Sequence, residues 1–493
     1  MNLTDDPWVP VVFGSGKSLV SLKDAFRRGE EILDFVATPP QRIALTRLLV
    51  CIAQAALDGP NDETEWRSCY DRIAPAAIAY LEGKQDCFEL FGDRAFLQVP
   101  NLSSTDNATL DRLDFGLAAG NNATLFDHGA TPDGRSQSPV WSALALVTYQ
   151  CFSPGGMIGS SNWQKVATSR SSEHAPCLEG SMLHTIMRGE SLLATVHMNL
   201  LTKEIVRRAA VGGWGKPAWE QMPAGPKDPR IADITTTYLG RLVPVSRGIK
   251  LTAGGTKATL VNGCSYPKLP YREPGATVVR RGKEERLVYL GIDLSKHPWR
   301  DLGSVLACSH SLLEGGAWVL GHLAPGAGHV DLWTGGLAAN QGKVLDMAEW
   351  NFHLPLSIIG EAPLNKYCQG VQLAESASAS LRAAVREYFQ DLAVGEFKRA
   401  DARSREQSRR ILAKAAALYW RTLDSSYGVL VNAANDPTRS LVGEWYGIVR
   451  AAMERAYERA CARQGIRQLS AYAKGAQRLR LRKPGRRDAS LAA

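Results

Sequence analysis

The last quarter of this chain repeats apolar residues at helical spacing, and that repeat constrains its fold more than any other feature. Leu381, Val385, Tyr388 and Leu392 fall four, three and four residues apart, as do Leu412, Ala416, Tyr419 and Leu423. Val442, Tyr446, Val449, Met453, Ala456 and Ala460 carry the same rhythm onward. A stripe of this kind needs neighbouring helices to cover it, so the pattern predicts a helical bundle. With 467–482 as a shorter last segment, four helices are expected.

Charge follows the same division. Residues 371–493 hold 23 Lys+Arg against 12 Asp+Glu, whereas the preceding 370 residues hold 35 against 37. The net charge of +9 is therefore carried by the bundle. Between Arg450 and Arg487 there are 12 basic residues and only Glu454 and Glu458 to oppose them. Segregated base of this kind is an electrostatic footprint for a polyanion, and nucleic acid is the expected partner. Arg455, Arg459 and Arg463 recur every fourth residue, which would set them in one ridge beside the apolar stripe.

The first 365 or so residues read as mixed α and β with many loops. A short β-like stretch at 6–13 leads into a turn at Gly14-Ser15-Gly16, and 40–57 reads as a largely buried helix. Residues 101–134 are rich in Asn, Asp, Thr and Gly and should be mostly loop. Residues 278–292 resemble a hairpin turning at Arg280-Arg281-Gly282-Lys283. At 493 residues the chain exceeds what one hydrophobic core usually spans. The expected fold is α+β: a large mixed α/β N-terminal domain of irregular topology, residues 1–369, followed by a C-terminal four-helix bundle, residues 370–493.

Several function classes lose support at this level. No run of 18 apolar residues occurs, and the acidic start Met1-Asn2-Leu3-Thr4-Asp5-Asp6 lacks the basic and apolar regions of a secretory signal, so a cytoplasmic location without a membrane is expected. Nine cysteines, an odd number with no C-x-x-C pair, fit reduced buried thiols. Phe13-Gly14-Ser15-Gly16-Lys17-Ser18 has the end of a phosphate-binding loop, but Val11 stands where the first glycine is needed. His310, His322 and His329 lack a common zinc spacing. Neither Gly-x-Ser-x-Gly nor His-Glu-x-x-His occurs, and no catalytic constellation stands out.

Three glycine-flanked or polar segments are unusual for a plain scaffold. They are Phe152-Ser153-Pro154-Gly155-Gly156-Met157-Ile158-Gly159, Gly335-Gly336-Leu337-Ala338-Ala339-Asn340-Gln341-Gly342, and Thr124-Leu125-Phe126-Asp127-His128-Gly129. Together with Asp6-Pro7-Trp8-Val9-Pro10-Val11, the helix from Ala44 to Gln54, Leu183-His184-Thr185-Ile186-Met187-Arg188-Gly189, Asn199-Leu200-Leu201-Thr202 and the basic bundle, this ordered set resembles the CasA family. CasA proteins are the large subunits of the type I-E CRISPR surveillance complex, Cascade. The resemblance spans almost the whole chain.

That resemblance implies a non-enzymatic protein that reads a short protospacer-adjacent motif on duplex DNA and starts strand separation, so that a guide RNA can form an R-loop. It implies that Gly155, Gly156, Met157 and Ile158 lie along the minor groove with Lys257 as the groove cation. Asn340, Gln341 and Gly342 would form a wedge between the strands. Phe126 and His128 would open a loop contacting the guide end and the motif. Arg455, Arg459 and Arg463 would hold the displaced strand. The implied partners are double-stranded target DNA, guide RNA, the other Cascade subunits (CasB, CasC, CasD, CasE) and a recruited helicase-nuclease. Some family members carry Cys pairs able to bind zinc, but 135–142 and 250–257 have none here, so no metal and no cofactor are expected. Two rival readings are a stand-alone nucleic-acid-processing enzyme and a pure scaffold for RNA assembly.

Overall fold

The computed structural model describes residues 1–104, 108–117, 134–209, 212–269, 271–307, 314–340, 342–393, 402–441 and 443–481. The chain forms two compact units. The first comprises Met1–Ser295, Ser304–His322 and Val330–His353, and the second comprises Lys296–Gly303, Leu323–His329 and Leu354–Ala493. Among the described residues no helix is long and apolar enough to cross a membrane.

The core of the first unit is built round helix α1 (Pro39–Leu57), buried without a break from Ile43 to Gln54. Proline in its first turn and a bond from Thr38 N–H to the Gln41 side chain at 2.9 Å start it, and a left-handed Asp58 ends it. Helix α2 (Pro139–Phe152), capped by the Ser138 hydroxyl, packs against α1. Because α1 is buried all round, it also buries Arg47. That guanidinium donates to the Leu242 carbonyl at 2.7 Å, the Arg241 carbonyl at 2.8 Å and the Glu273 carboxylate at 2.8 Å. Arg241 reaches the other Glu273 oxygen at 2.6 Å. Burial alone would raise the Glu273 pKa, but the two arginines overcome it and hold the carboxyl down at about 2.

Shorter helices surround α1 and α2, and the strands form small separate sheets, as an irregular topology implies. The strands that matter are β1 (Gly156–Met157), β2 (Ser171–Ser172), β3 (His184–Arg188), β4 (Arg247–Leu251), β5 (Lys257–Asn262), β6 (Val278–Arg281), β7 (Arg286–Tyr289), β8 (His329–Asn340) and β9 (Lys343–Pro355). β1 pairs with β2, β4 with β5 and β6 with β7, while β8 lies between β3 and β9. The β6–β7 hairpin keeps Arg280 and Arg281 in the strand and turns at 282–285, two residues later than its sequence indicated. The Gly16-Lys17-Ser18 segment begins the second strand of an N-terminal hairpin, Phe13 facing Gly16, so a strand rather than a helix N-terminus follows the glycine turn and no phosphate cradle forms there.

The second unit is a helical bundle of α3 (Glu361–Ala393), α4 (Ala402–Asp424), α5 (Tyr427–Asn435), α6 (Glu444–Ala460) and α7 (Ile466–Ala476). α3 packs against all the others and α4 against α6, leaving α5 as a short piece beside the four principal helices. The division expected at 369/370 falls inside α3, and the compact unit instead begins at Leu354 and takes in two earlier segments. Leu381, Val385, Tyr388, Tyr419, Leu423, Val449, Met453 and Ala456 are buried, as their spacing predicts. The α6 face leans slightly, burying Trp445 and Tyr457 and leaving Tyr446 half-buried. Each buried tyrosine hydroxyl finds a carbonyl: Tyr419 that of Ala374 at 2.7 Å, Tyr457 that of Tyr472 at 2.8 Å.

Candidate nucleic-acid interface

Two glycine segments far apart in sequence meet backbone to backbone. Gly155 and Gly156 begin the β1–β2 ribbon, in which Gly156 faces Ser172 and Met157 faces Ser171. The β8–β9 hairpin brings Gly342 to its tip with φ of 77°. A Cβ added to Gly342 would lie 2.7 Å from the Gly155 carbonyl, and one added to Gly155 would lie 2.9 Å from the Ser172 carbonyl. Three backbone layers are thus stacked with no room for a side chain between them, which is why glycine is required at both positions.

This junction borders an open cleft of about 570 Å³ lined by Gly155, Gly156, His174, Ser181, Asn340 and Gly342, among others. The hairpin tip is fixed there by Ser181, whose hydroxyl donates to the Ala339 carbonyl at 3.0 Å and accepts from the Ala339 N–H at 3.0 Å. The ribbon is fixed at its root. Ala175 N–H donates to the Ser153 carbonyl at 2.8 Å, Ser153 and Ser246 share a hydroxyl bond at 3.0 Å, and buried Arg247 donates to the Pro154 carbonyl. Beyond that root Met157 is 70% exposed, whereas Ile158 folds inward and is buried.

The cleft wall is not uniformly basic. His174 bonds Glu179, and that contact pulls the Glu179 carboxyl below its usual range, with Lys268 3.5 Å away adding to the effect. Glu173 accepts from Ser265 at 2.8 Å. The Glu173 carboxylate, which lines the cleft, disfavours phosphate and favours hydrogen-bond donors and backbone approach.

The structure therefore brings Gly155, Gly156, Asn340 and Gly342 together. Lys257 is exposed at the start of β5, beyond the β4–β5 turn, and is not among the residues that line the cleft. Gln341, Phe126 and His128 lie outside the described residues. The expected arginine ridge is shorter than its spacing implied. Arg455 and Arg459 are exposed on α6, but the helix ends at Ala460 and Arg463 lies beyond it, 5.1 Å over the Tyr472 ring. Cys461 is the cause: it is buried with extended backbone (φ −113°, ψ 110°), which turns the chain off the helix axis.

Sequence reasoning missed Ser181, His174 and Arg247. No motif marks a serine as the clamp of a strand 158 residues away. Arg247 had a signal, a cation at the alternate positions it shares with apolar Ile249 and Leu251, but its target was invisible. Among the described residues no group of three or more His, Cys, Asp or Glu is placed to hold a metal. His322 bonds Glu63 at 2.8 Å and the Leu200 carbonyl at 2.7 Å and stacks on Trp66, so it belongs to the core.

Known proteins share this architecture. The family model for CRISPR-associated protein Cse1 matches residues 2–464. A CasA/Cse1 protein of Thermus thermophilus is 26% identical over 501 residues, covering 97% of this chain and 96% of its own. The crystal structure of Thermus thermophilus CasA matches with a TM-score of 0.79 at 22% identity over 97% of this chain and 98% of that one. A chain of a CRISPR RNA-guided surveillance complex matches with a TM-score of 0.77 at 17% identity over 97% and 99%. These likenesses establish the fold along nearly the full length, and with the family match they lead to one conclusion: the chain belongs to the CRISPR-associated protein Cse1 family.

Proposed function

We propose that the chain is the non-catalytic large subunit of a type I-E Cascade, acting in the cytoplasm with guide RNA and the other Cascade subunits. In this reading it recognises the protospacer-adjacent motif in duplex DNA and pries the strands apart to start an R-loop. The observation that carries the reading is the contact of Gly342 with Gly155. It sets a ribbon able to approach a groove closely beside a hairpin tip able to enter the duplex. The minor groove offers a degenerate hydrogen-bond pattern, so backbone proximity and a few polar groups suit a reader of several related motifs. Unstacking at the motif costs a few kcal/mol per step, which groove contacts can offset. R-loop formation is a near-balanced exchange of duplexes, so a modest push at its start decides whether it proceeds. Recruitment of the helicase-nuclease is assigned to the same complex.

The test is the joint substitution Asn340→Ala and Gln341→Ala in the assembled complex. R-loop formation should slow about tenfold or more on a fully paired target, the equivalent of losing roughly 1.4 kcal/mol at the transition state. It should recover when the motif-proximal bases are unpaired beforehand. Equal defects on both targets would remove the wedge from the reading.

The bundle contributes differently. With Arg455→Glu and Arg459→Glu together, binding should weaken on every target, and the slope of log K against log salt should flatten by about 0.7 for each single-strand phosphate no longer neutralised. A defect confined to particular motifs would make these arginines sequence readers instead.

A further inference from the structure

The β6–β7 hairpin carries a feature that folding alone disfavours. Arg281 and Arg286 face each other directly across the last rung before the turn, and both are exposed. Like charges directly opposite on one face of an antiparallel pair destabilise it. The inner face of the hairpin is already engaged: Val278, Tyr289 and Leu287 pack with Met182 and Ala276, and Arg280 bonds Glu314 at 2.7 Å. The outer face and turn therefore hold Arg281, Lys283 and Arg286 against Glu284 and Glu285. Glu284 pairs with Arg286 at 2.6 Å, but both side chains are at least 70% exposed, where such a pair is worth little. Among the described residues neither Arg281 nor Lys283 makes an ion pair.

The mount of this hairpin is the mount of the wedge. The strand returning from β7 bridges Gly291 to Met182, and Ile292 N–H donates to the Ser181 carbonyl at 2.8 Å. Ser181 is the residue whose hydroxyl holds Ala339 at the β8–β9 tip. Arg286 is five strand residues from Gly291, so the arginine pair lies within about 17 Å of that shared anchor. A duplex engaged at the tip carries a phosphate about every 3.4 Å along each strand, so several come within reach.

We infer that the 281–286 hairpin tip is a phosphate clamp for duplex DNA entering the motif site, with the repulsion between Arg281 and Arg286 relieved when the polyanion binds. The inference rests on the reading that the β8–β9 tip meets duplex DNA. Its test uses the guide-loaded complex with Arg281→Glu and Lys283→Glu, and separately with the milder Arg281→Gln. The double reversal should weaken binding to paired targets roughly tenfold or more whatever their motif, and should lower the salt slope by about 0.9 for each duplex phosphate no longer neutralised. The preference among motifs should stay unchanged. Arg281→Gln should leave the melting temperature equal or higher, because it removes the repulsion, while still lowering the slope by the equivalent of about one phosphate. An unchanged slope overturns the clamp, as does a shifted motif preference. Loss of guide RNA with duplex affinity per assembled complex intact would make the surface an RNA-binding one and also overturn it. A parallel Gly155→Val complex separates the two ideas: if it loses motif discrimination while the hairpin variants behave as wild type, the clamp fails and the motif-site reading stands.

Discussion

Glu273→Ala lowers the unfolding free energy of the first unit by about 3–5 kcal/mol, because it strips the shared counter-ion from two arginines that cannot reach water. Arg47 and Arg241 are both buried and both bond this one carboxylate. Their remaining bonds run to backbone carbonyls, which satisfy N–H groups without neutralising charge. Glu273→Gln, which keeps shape and one acceptor, should lose less than the alanine variant. Urea unfolding of the three proteins at neutral pH checks this, and a loss below about 1 kcal/mol for alanine would show that the pair is not what ties α1 to the 241–273 segment.

The same carboxylate sets an acid limit. Its folded pKa of about 2 lies below the unfolded value of about 4.3, so its contribution is fully present above the unfolded value. It is lost progressively as pH falls toward the folded one. Stability of the wild type should therefore decline between about pH 5 and 2, and the Glu273→Gln protein should show a shallower decline over that window.

Gly155→Val is expected to abolish most motif discrimination while leaving the protein folded and assembled. The new Cβ would sit 2.9 Å from the Ser172 carbonyl and 3.1 Å from the His174 N–H, both backbone atoms that cannot swing away. The ribbon must then separate from its partner strand and push against Gly342. Overpacking at an edge of this kind costs about 1–3 kcal/mol of stability. Displacing both the groove-facing ribbon and the hairpin tip should cost a comparable 1–3 kcal/mol of recognition, a loss of about 5- to 150-fold on preferred motifs. Binding of pre-opened targets should change far less. A gel-shift series over all motif variants reads the effect directly; retained discrimination with a valine at 155 would mean that the ribbon does not approach the groove.

Much of this architecture was legible in the chain itself. The 4-3-4 stripes read as helices because side-chain direction in a helix is fixed by local geometry, and Leu381, Val385, Tyr388 and Val449 are buried accordingly. The glycines at 155 and 342 were visible as places where a backbone needs freedom. Local rules failed where a contact or burial set by the tertiary structure overrode them. The spacing of Arg455, Arg459 and Arg463 is perfect for a ridge, yet the burial of Cys461 ends the helix before the third arginine. The β6–β7 turn slipped by two residues because Arg280 is held in the strand by Glu314, a partner 34 positions away.

Sequence by itself determined the helical bundle, its excess of base, the absence of familiar catalytic motifs and the positions of the glycines, since each depends on residues that are neighbours along the chain. Only the tertiary structure decided that Gly155 touches Gly342, that Ser181 anchors both the hairpin tip and the strand leaving β7, and that Glu273 neutralises two arginines at once. Those contacts join segments roughly 30 to 230 residues apart. Which of many chemically similar partners closes each pair is fixed by the packing of α1 and the small sheets around it, not by any spacing along the chain.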